Sequence, residues 1–380
     1  MTVRLSAFDL VPLSEGYTPA EGIDHARAFA RGIEEAGYHR LWYGEHHLNP
    51  GMLGYSPALT IALLASETGT LRFGSGTVLT GHRTPFSVAE EFSLLEAAFP
   101  GRIDLGLGRA GLKGPKKKRT EAEAAKQEKK DEAKQQSEDY ETDNGVFIPA
   151  SPDLSHLFGS PRAAAQQALL HQPGAEPRFY DEYLDQLLDL FHDRAVVHGE
   201  PISNATADVG SPEIWILGTN AGDSSQLAAE KGLRFGANYH VAPTHTLEAL
   251  ADYRERFQPS EDLNAPYTIV SAEVLVADTT SEADTLAAGY DQWVYSIRSG
   301  QGAITYPSPE TAAQNQLTAE QQPLVRDRTT TRYVGDPHQV VEKLKALQAA
   351  TQADELLIST ITHDPEARLR SFQLLAEAWQ

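Results

Sequence analysis

The chain switches repeatedly between two apolar periods, and that alternation restricts its fold more than any other feature. Leu5 to Leu10 reads as a strand, Gly22 to Ala36 carries Ile23, Ala26, Ala30 and Ile33 at helical spacing, and Arg40 to Tyr43 is a second strand. Ser56 followed by Pro57 starts a helix that runs through Leu64. Leu71 to Leu79 is a third strand, Pro85 to Phe99 a third helix, and Ile103 to Leu107 a fourth strand. The same rhythm returns later, with strands at Glu213 to Gly218, Arg234 to Asn238, Ile269 to Val276 and Glu355 to Ser359. Helices are predicted over Tyr180–Asp193, Ser224–Lys231, Pro243–Phe257, Ser281–Arg298, Pro337–Ala350 and Pro365–Trp379. Parallel strands need crossovers long enough to hold a helix, so this pattern predicts a parallel sheet covered by helices. Eight strands and about eight helices predict a closed α/β (β/α)8 TIM barrel, with residues 1–380 forming a single domain.

Two stretches break the rhythm. Residues 112–145 form a charged, low-complexity insertion after strand four with almost no large apolar side chain. A disordered surface loop is expected there, although Thr120–Gln136 carries the i,i+4 Glu–Lys pairs of a solvated helix. Residues 300 to 332, after strand seven, read as irregular.

Charge and composition exclude several functions. The net charge of −21 repels phosphate backbones and anionic membranes, so neither nucleic acid nor membrane is an expected partner. The sequence contains no cysteine, which rules out disulfides, thiolate metal sites and cysteine nucleophiles and fits the cytoplasm. No apolar stretch reaches the roughly 20 residues of a membrane span, and the start MTVRLSAFDL lacks the apolar core of a signal peptide.

In a (β/α)8 barrel the reactive groups lie where strands end and βα loops begin. Glu45-His46-His47 follows strand two. The pair reads either as a polar loop with one core histidine or as one imidazole facing the mouth, ready to exchange a proton. Gly74-Ser75-Gly76-Thr77 lies in strand three, where glycine marks either a ligand's approach or a tight bend. Strand four ends Gly106-Leu107-Gly108-Arg109-Ala110-Gly111, formally G-x-G-x-x-G. Lys113-Gly114-Pro115 follows in place of a helix, so the dinucleotide reading fails. Arg109 is left either in a surface ion pair or as a phosphate ligand. Gly218-Thr219-Asn220-Ala221-Gly222-Asp223-Ser224 precedes a helix, where free N–H groups either are capped locally or hold an anion. Strands four and five are neighbours, so Arg109 and the turn at Ser224 could grip one phosphate from two sides.

The motifs from Gly37 to His47, Gly74 to Phe92, Pro100 to Ala110, Trp215 to Ala229 and Ala353 to Leu357 resemble the luciferase-like monooxygenase family in the right order. That resemblance implies a reduced FMN cofactor, a transient flavin reductase partner, molecular oxygen and a small-molecule substrate. It implies that His46 is the catalytic histidine, with Gly76-Thr77 under the flavin ring as a non-proline cis peptide. Arg109 and Ser224 match phosphate-contacting positions, with Gly218 and Gly222 in the same cofactor turn. Tyr239 and His240 match a Tyr-His pair near the substrate pocket, where His47 is also placed. A homodimer through helices two and three is a further implication, and no metal is expected. Thr219-Asn220 departs from the family's Ser-Ser, and Asp223 brings a carboxylate towards the phosphate. Relatives also use deazaflavin for hydride transfer, and some bind flavin without catalysis; a metal hydrolase built on Glu45, His46 and His47 is the reading from outside the family.

Overall fold

The computed structural model describes residues 3–116, 138–157, 159–203, 206 and 209–379. Eight strands alternate with eight principal helices. The strands are β1 (Arg4–Asp9), β2 (Arg40–Tyr43), β3 (Arg72–Ser75), β4 (Ile103–Gly108), β5 (Glu213–Gly218), β6 (Arg234–Ala237), β7 (Thr268–Val276) and β8 (Glu355–Ser359). The helices that follow them are α1 (Pro19–Glu35), α2 (Pro57–Leu64), α3 (Pro85–Ala98), α4 (Tyr180–Phe191), α5 (Asp223–Glu230), α6 (Thr246–Arg256), α7 (Pro337–Thr351) and α8 (Pro365–Trp379). Each strand pairs in parallel with its sequence neighbour, and β8 returns to β1 with Arg4 opposite Glu355. The sheet is therefore a closed barrel, as the alternation predicted.

One local device starts four of the helices. Thr18, Ser56, Thr84 and Asp336 each accept a backbone N–H of the first turn, and each is followed by proline. Proline lacks the N–H that would be unsatisfied at that position, and its fixed φ already suits a helix. α4 shows how the outer layer is held. Tyr180, Tyr183, Leu184, Leu187 and Phe191 are buried at helical spacing, and the helix packs beside α3.

The barrel interior divides into two ends. Arg40, 2% exposed, lies at the N-terminal end, where its guanidinium reaches Asp104 at 2.7 Å, Glu213 at 2.8 Å and Glu355 at 2.9 Å. Trp42 adds an indole N–H to Asp104 at 2.9 Å. A charge this deep is tolerated because it is paired and hydrogen-bonded on several sides. Above it, Phe8, Trp42, Trp215, Leu217, Ile269 and Leu357 fill the barrel with apolar surface.

The structure refines several boundaries. Strand three stops at Ser75; the Gly76–Thr77 peptide is cis, and Val78–Leu79 resumes pairing with β4. The helix predicted over 281–298 is two, Thr280–Leu286 and Tyr290–Arg298, divided at Gly289 with φ +86°. Residues 300–332, read as irregular, contain the short helices Pro309–Gln314 and Arg326–Thr330. The helix expected over Thr120–Gln136 lies outside the described residues. Just beyond, Tyr140–Glu141 and Phe147–Ile148 pair as an antiparallel hairpin. Val146 and Ile148 are buried, so this end of the insertion packs against the barrel.

Candidate active site

Strand order explains how the predicted residues meet. His46 follows β2, Gly76 follows β3, Arg109 follows β4, Gly218 ends β5, and Tyr239 and His240 follow β6. Five consecutive strands thus deliver them to one arc of the C-terminal mouth, where such barrels carry their chemistry.

Phe8 and Trp42 rise to meet Gly76. A Cβ on Gly76 would approach Phe8 Cε2 at 3.1 Å and Trp42 Cε3 at 3.3 Å, so the glycine keeps this surface flat. His46 packs over Gly44, where a Cβ would stand 2.6 Å from its Cε1, and its Nδ1 is buried without a partner. Burial, the largest cause, holds the imidazole down at about 4, with Glu45 opposing. His240 lies 5.8 Å from the Phe8 ring, its Nδ1 2.6 Å from Ser271 Oγ. Burial first, then the charge of Arg328, lowers it to about 3. Both imidazoles are neutral near pH 7 and able to accept a proton.

The residues expected to hold a phosphate lie after β4 and β5. Arg109 forms an ion pair with Asp223, the first residue of α5. Of the two readings of Arg109, the structure shows the ion pair, at the position where the resemblance expects a phosphate. Ser224 lies in the first turn of α5, and a Cβ on Gly218 would come within 3.1 Å of Ser224 Cβ. Glycine is what lets this turn sit against the strand end. Gly222 caps α5 with φ +144°, and its N–H bonds Ser225 Oγ at 2.9 Å. Tyr180 was missed by sequence reasoning. Its hydroxyl is buried beside Arg109 and Ser224, and burial pushes the phenol's pKa up, so it remains protonated and able to donate. Its position at the start of α4 gave no sign of this, because the residues that join it to β4 are the charged insertion.

Two predicted pocket residues are engaged elsewhere. Tyr239 is buried, and its hydroxyl donates to Phe147 O at 2.8 Å, which props the hairpin. His47 Nε2 lies 2.9 Å from Glu45 Oε1, and its ring stands edge-on to His82 at 5.2 Å. Glu45, His47 and His82 bring their ligand atoms within 4.8 Å of one another, a grouping able to hold a metal ion, with His46 outside it. Glu45 also accepts the Leu79 N–H at 3.0 Å and faces Arg83 at 3.5 Å. Burial raises the Glu45 carboxyl's pKa, but His82, Arg83 and the Leu79 N–H outweigh it and hold the group ionised.

A closed parallel barrel with an apolar floor and two buried imidazoles at the C-terminal ends of its strands belongs to the (β/α)8 class. The sequence profile of the luciferase-like monooxygenases matches residues 3–136 and 162–353, and this chain belongs to that family. It is 30% identical over 374 residues to an Escherichia coli luciferase-like monooxygenase, covering 98% of this chain and 96% of that one. The solved structure of apo-MsnO8 is 28% identical and superposes with a TM-score of 0.72 over 99% of this chain and 98% of that one. The oxygenase component of the flavin-dependent trigonelline monooxygenase of Acinetobacter baylyi is 31% identical over 108 residues, 28% of this chain and 30% of that one. More distant structures share the fold alone. One is a 3,6-diketocamphane monooxygenase component in complex with FMN, at 17% identity, TM-score 0.58 and coverage of 99% of this chain and 98% of that one. Another is an F420-dependent secondary alcohol dehydrogenase, at 11% identity, TM-score 0.57 and full coverage of both chains.

Proposed function

We propose that this protein is the oxygenase of a two-component system that uses reduced FMN and molecular oxygen to oxygenate a small organic substrate. The observation that carries the reading is the joint placement of the Arg109–Ser224–Tyr180 site and the neutral His46 and His240 around Gly76. The residues fit a flavin mononucleotide. Tyr180 offers a buried hydroxyl donor, Arg109 and the α5 N-terminus offer positive potential, and Gly76 leaves Phe8 and Trp42 uncovered where a Cβ would crowd them. Asp223 opposes a phosphate there, and its ion pair with Arg109 is exchanged when the anion binds.

Reduced flavin supplies the two electrons that activate oxygen, so that one oxygen atom enters the substrate and the other leaves as water. The chain's own contribution is positioning and proton control. Arg109, Ser224 and Tyr180 would hold the phosphate. Phe8, Trp42 and Gly76 provide a dry, flat surface against which a ring system lies. His46, neutral because it is buried, takes a proton at its unpartnered Nδ1 and returns it to the oxygen that leaves as water. Ser271 Oγ fixes the His240 ring beside it.

Dimerisation is part of the proposal. Leu59 and Leu63 on α2, with Phe86 and Leu94 on α3, are exposed on neighbouring helices, with Leu94 65% accessible. An apolar patch of this kind suits a second copy of the chain. Among the described residues no helix is long and apolar enough to cross a membrane.

The test is an anaerobic titration with reduced FMN and, in parallel, reduced deazaflavin cofactor, followed by admission of oxygen. The reading predicts tighter binding of reduced FMN and oxygen consumption that depends on the protein. Preference for the deazaflavin, or oxygen consumption no faster than for free flavin, would contradict it.

A further inference from the structure

The excursion between β7 and α7 buries more positive charge than it neutralises. Arg298 is 5% exposed and forms a two-pronged ion pair with Asp327. Arg332, 8% exposed, lies 3.8 Å from Glu273 and donates to the Ile361 and Ala287 carbonyls at 2.7 and 3.1 Å. Arg328, also 8% exposed, has no carboxylate partner among the described residues; its guanidinium approaches the Tyr290 hydroxyl, and its Nε is buried without a partner. The other deeply buried arginines, Arg40 and Arg368, are paired with Asp104 and Asp9. A buried cation without a counter-charge is costly, so an anion that supplies the missing partner binds strongly there.

The surroundings hold this guanidinium in place without satisfying it. It lies 5.8 Å from the Tyr290 ring and 5.7 Å from the Trp293 ring, both buried, whose faces offset part of its desolvation. On one side Asp327 is already taken by Arg298, and on the other Glu273 faces Arg332. The charge acts on His46 and His240, the two imidazoles of the mouth, and lowers the pKa of both. Two residues earlier in the same helix, Arg326 is bound to Asp139 beside the hairpin that Tyr239 props, which places the segment over the mouth.

We propose that Arg328, buried without a carboxylate partner in the segment over the mouth, is the anchor for a carboxylate on the substrate. The substrate class is then a small organic anion with an apolar body, its acid on Arg328 and its reacting atom turned towards His46. Arg328 is a specificity-determining residue in this account. The identification of the mouth as a substrate pocket rests on the flavoenzyme reading; the anion site itself does not.

The experiment uses benzoate and its neutral isostere benzamide as probes, titrated calorimetrically into the full chain with and without FMN. Wild type is expected to bind benzoate at least tenfold more tightly than benzamide, and benzoate should raise its melting temperature. Arg328→Met should lose that discrimination, Arg328→Lys should keep part of it, and FMN affinity should be unchanged in both. Removing the guanidinium breaks no ion pair, so Arg328→Met should remain folded; Arg328→Gln provides a second neutral variant if Met disturbs folding. Equal or absent binding of the two probes to wild type overturns the proposal, as does discrimination that survives in both neutral variants. A fall in FMN affinity in Arg328→Met, with benzoate displaced by FMN, would assign the arginine to the cofactor and overturn it equally. If FMN fails to bind at all while the Arg328-dependent discrimination persists, the flavoenzyme reading fails and the anion site stands.

Discussion

Asp223 and Arg109 make the phosphate assignment testable, because substituting them should move FMN affinity in opposite directions. Arg109 is 46% exposed at its side chain and Asp223 21%, so water screens the pair and the high-dielectric limit applies. Two unit charges about 6 Å apart in water interact by about 0.7 kcal/mol, and a phosphate carries about −1.5 to −2 at neutral pH. Asp223 therefore opposes a phosphate by about 1–1.4 kcal/mol, and Asp223→Asn should tighten FMN binding roughly tenfold. Arg109→Ala removes a charge-assisted hydrogen bond worth about 1.5–3 kcal/mol, which weakens FMN roughly 10- to 100-fold. The assay is flavin-fluorescence quenching at low and high salt, with riboflavin as the control that lacks the phosphate. The Asp223→Asn gain should shrink at high salt, and riboflavin affinity should not change in either variant. Unchanged or weaker FMN binding in Asp223→Asn, or an equal change for riboflavin, would refute the argument.

Three further outcomes follow from the same structure. His46 and His240 have folded pKa values of about 4 and about 3 against an unfolded value of about 6.5. The unfolded chain binds more protons across that window, so their contribution is complete above about pH 6.5 and is lost as pH falls towards 4. Denaturant midpoints from pH 4 to 7 should rise with pH, and His46→Asn should reduce the slope by up to one proton while cutting turnover by about 10²–10⁴. Gly106→Ala would place a Cβ 2.0 Å from the Ser75 carbonyl oxygen, so it should give insoluble or strongly destabilised protein, whereas Gly69→Ala, with nothing within 4 Å, should melt like wild type. Leu59→Glu combined with Leu94→Glu should convert a dimer into a folded monomer by light scattering; an unchanged mass would place the interface elsewhere.

The regular part of the fold was legible because each element carries its own period. Arg40–Tyr43, Glu213–Gly218 and Glu355–Ser359 match the expected strands residue for residue, since short apolar runs between turns leave little room for other boundaries. Strand three was read too long, because its apolar residues continue through Gly76–Thr77 while the backbone there turns away from β2. Arg40 shows what a local pattern cannot carry: it reads as a strand residue, yet its partners Asp104, Glu213 and Glu355 lie 64, 173 and 315 positions away. The site divides in the same manner. His46, Gly76, Arg109 and Ser224 follow strand ends and could be found by that rule. Tyr180 and Arg328 enter from the two long excursions, where no period signals burial. Asp223 was visible as a carboxylate near the phosphate, but only the folded chain shows it bound to Arg109.

The central claim is that one arc of the barrel mouth holds a flavin mononucleotide over Gly76 with its phosphate between β4 and β5. A structure determined with FMN bound tests it most directly. The account predicts the phosphate against Arg109, Ser224 and the Tyr180 hydroxyl, the ring against Phe8 and the Gly76–Thr77 peptide, and His46 and His240 facing the ring. A phosphate seated on Arg328, or a flavin bound away from the ends of β3, β4 and β5, would contradict it.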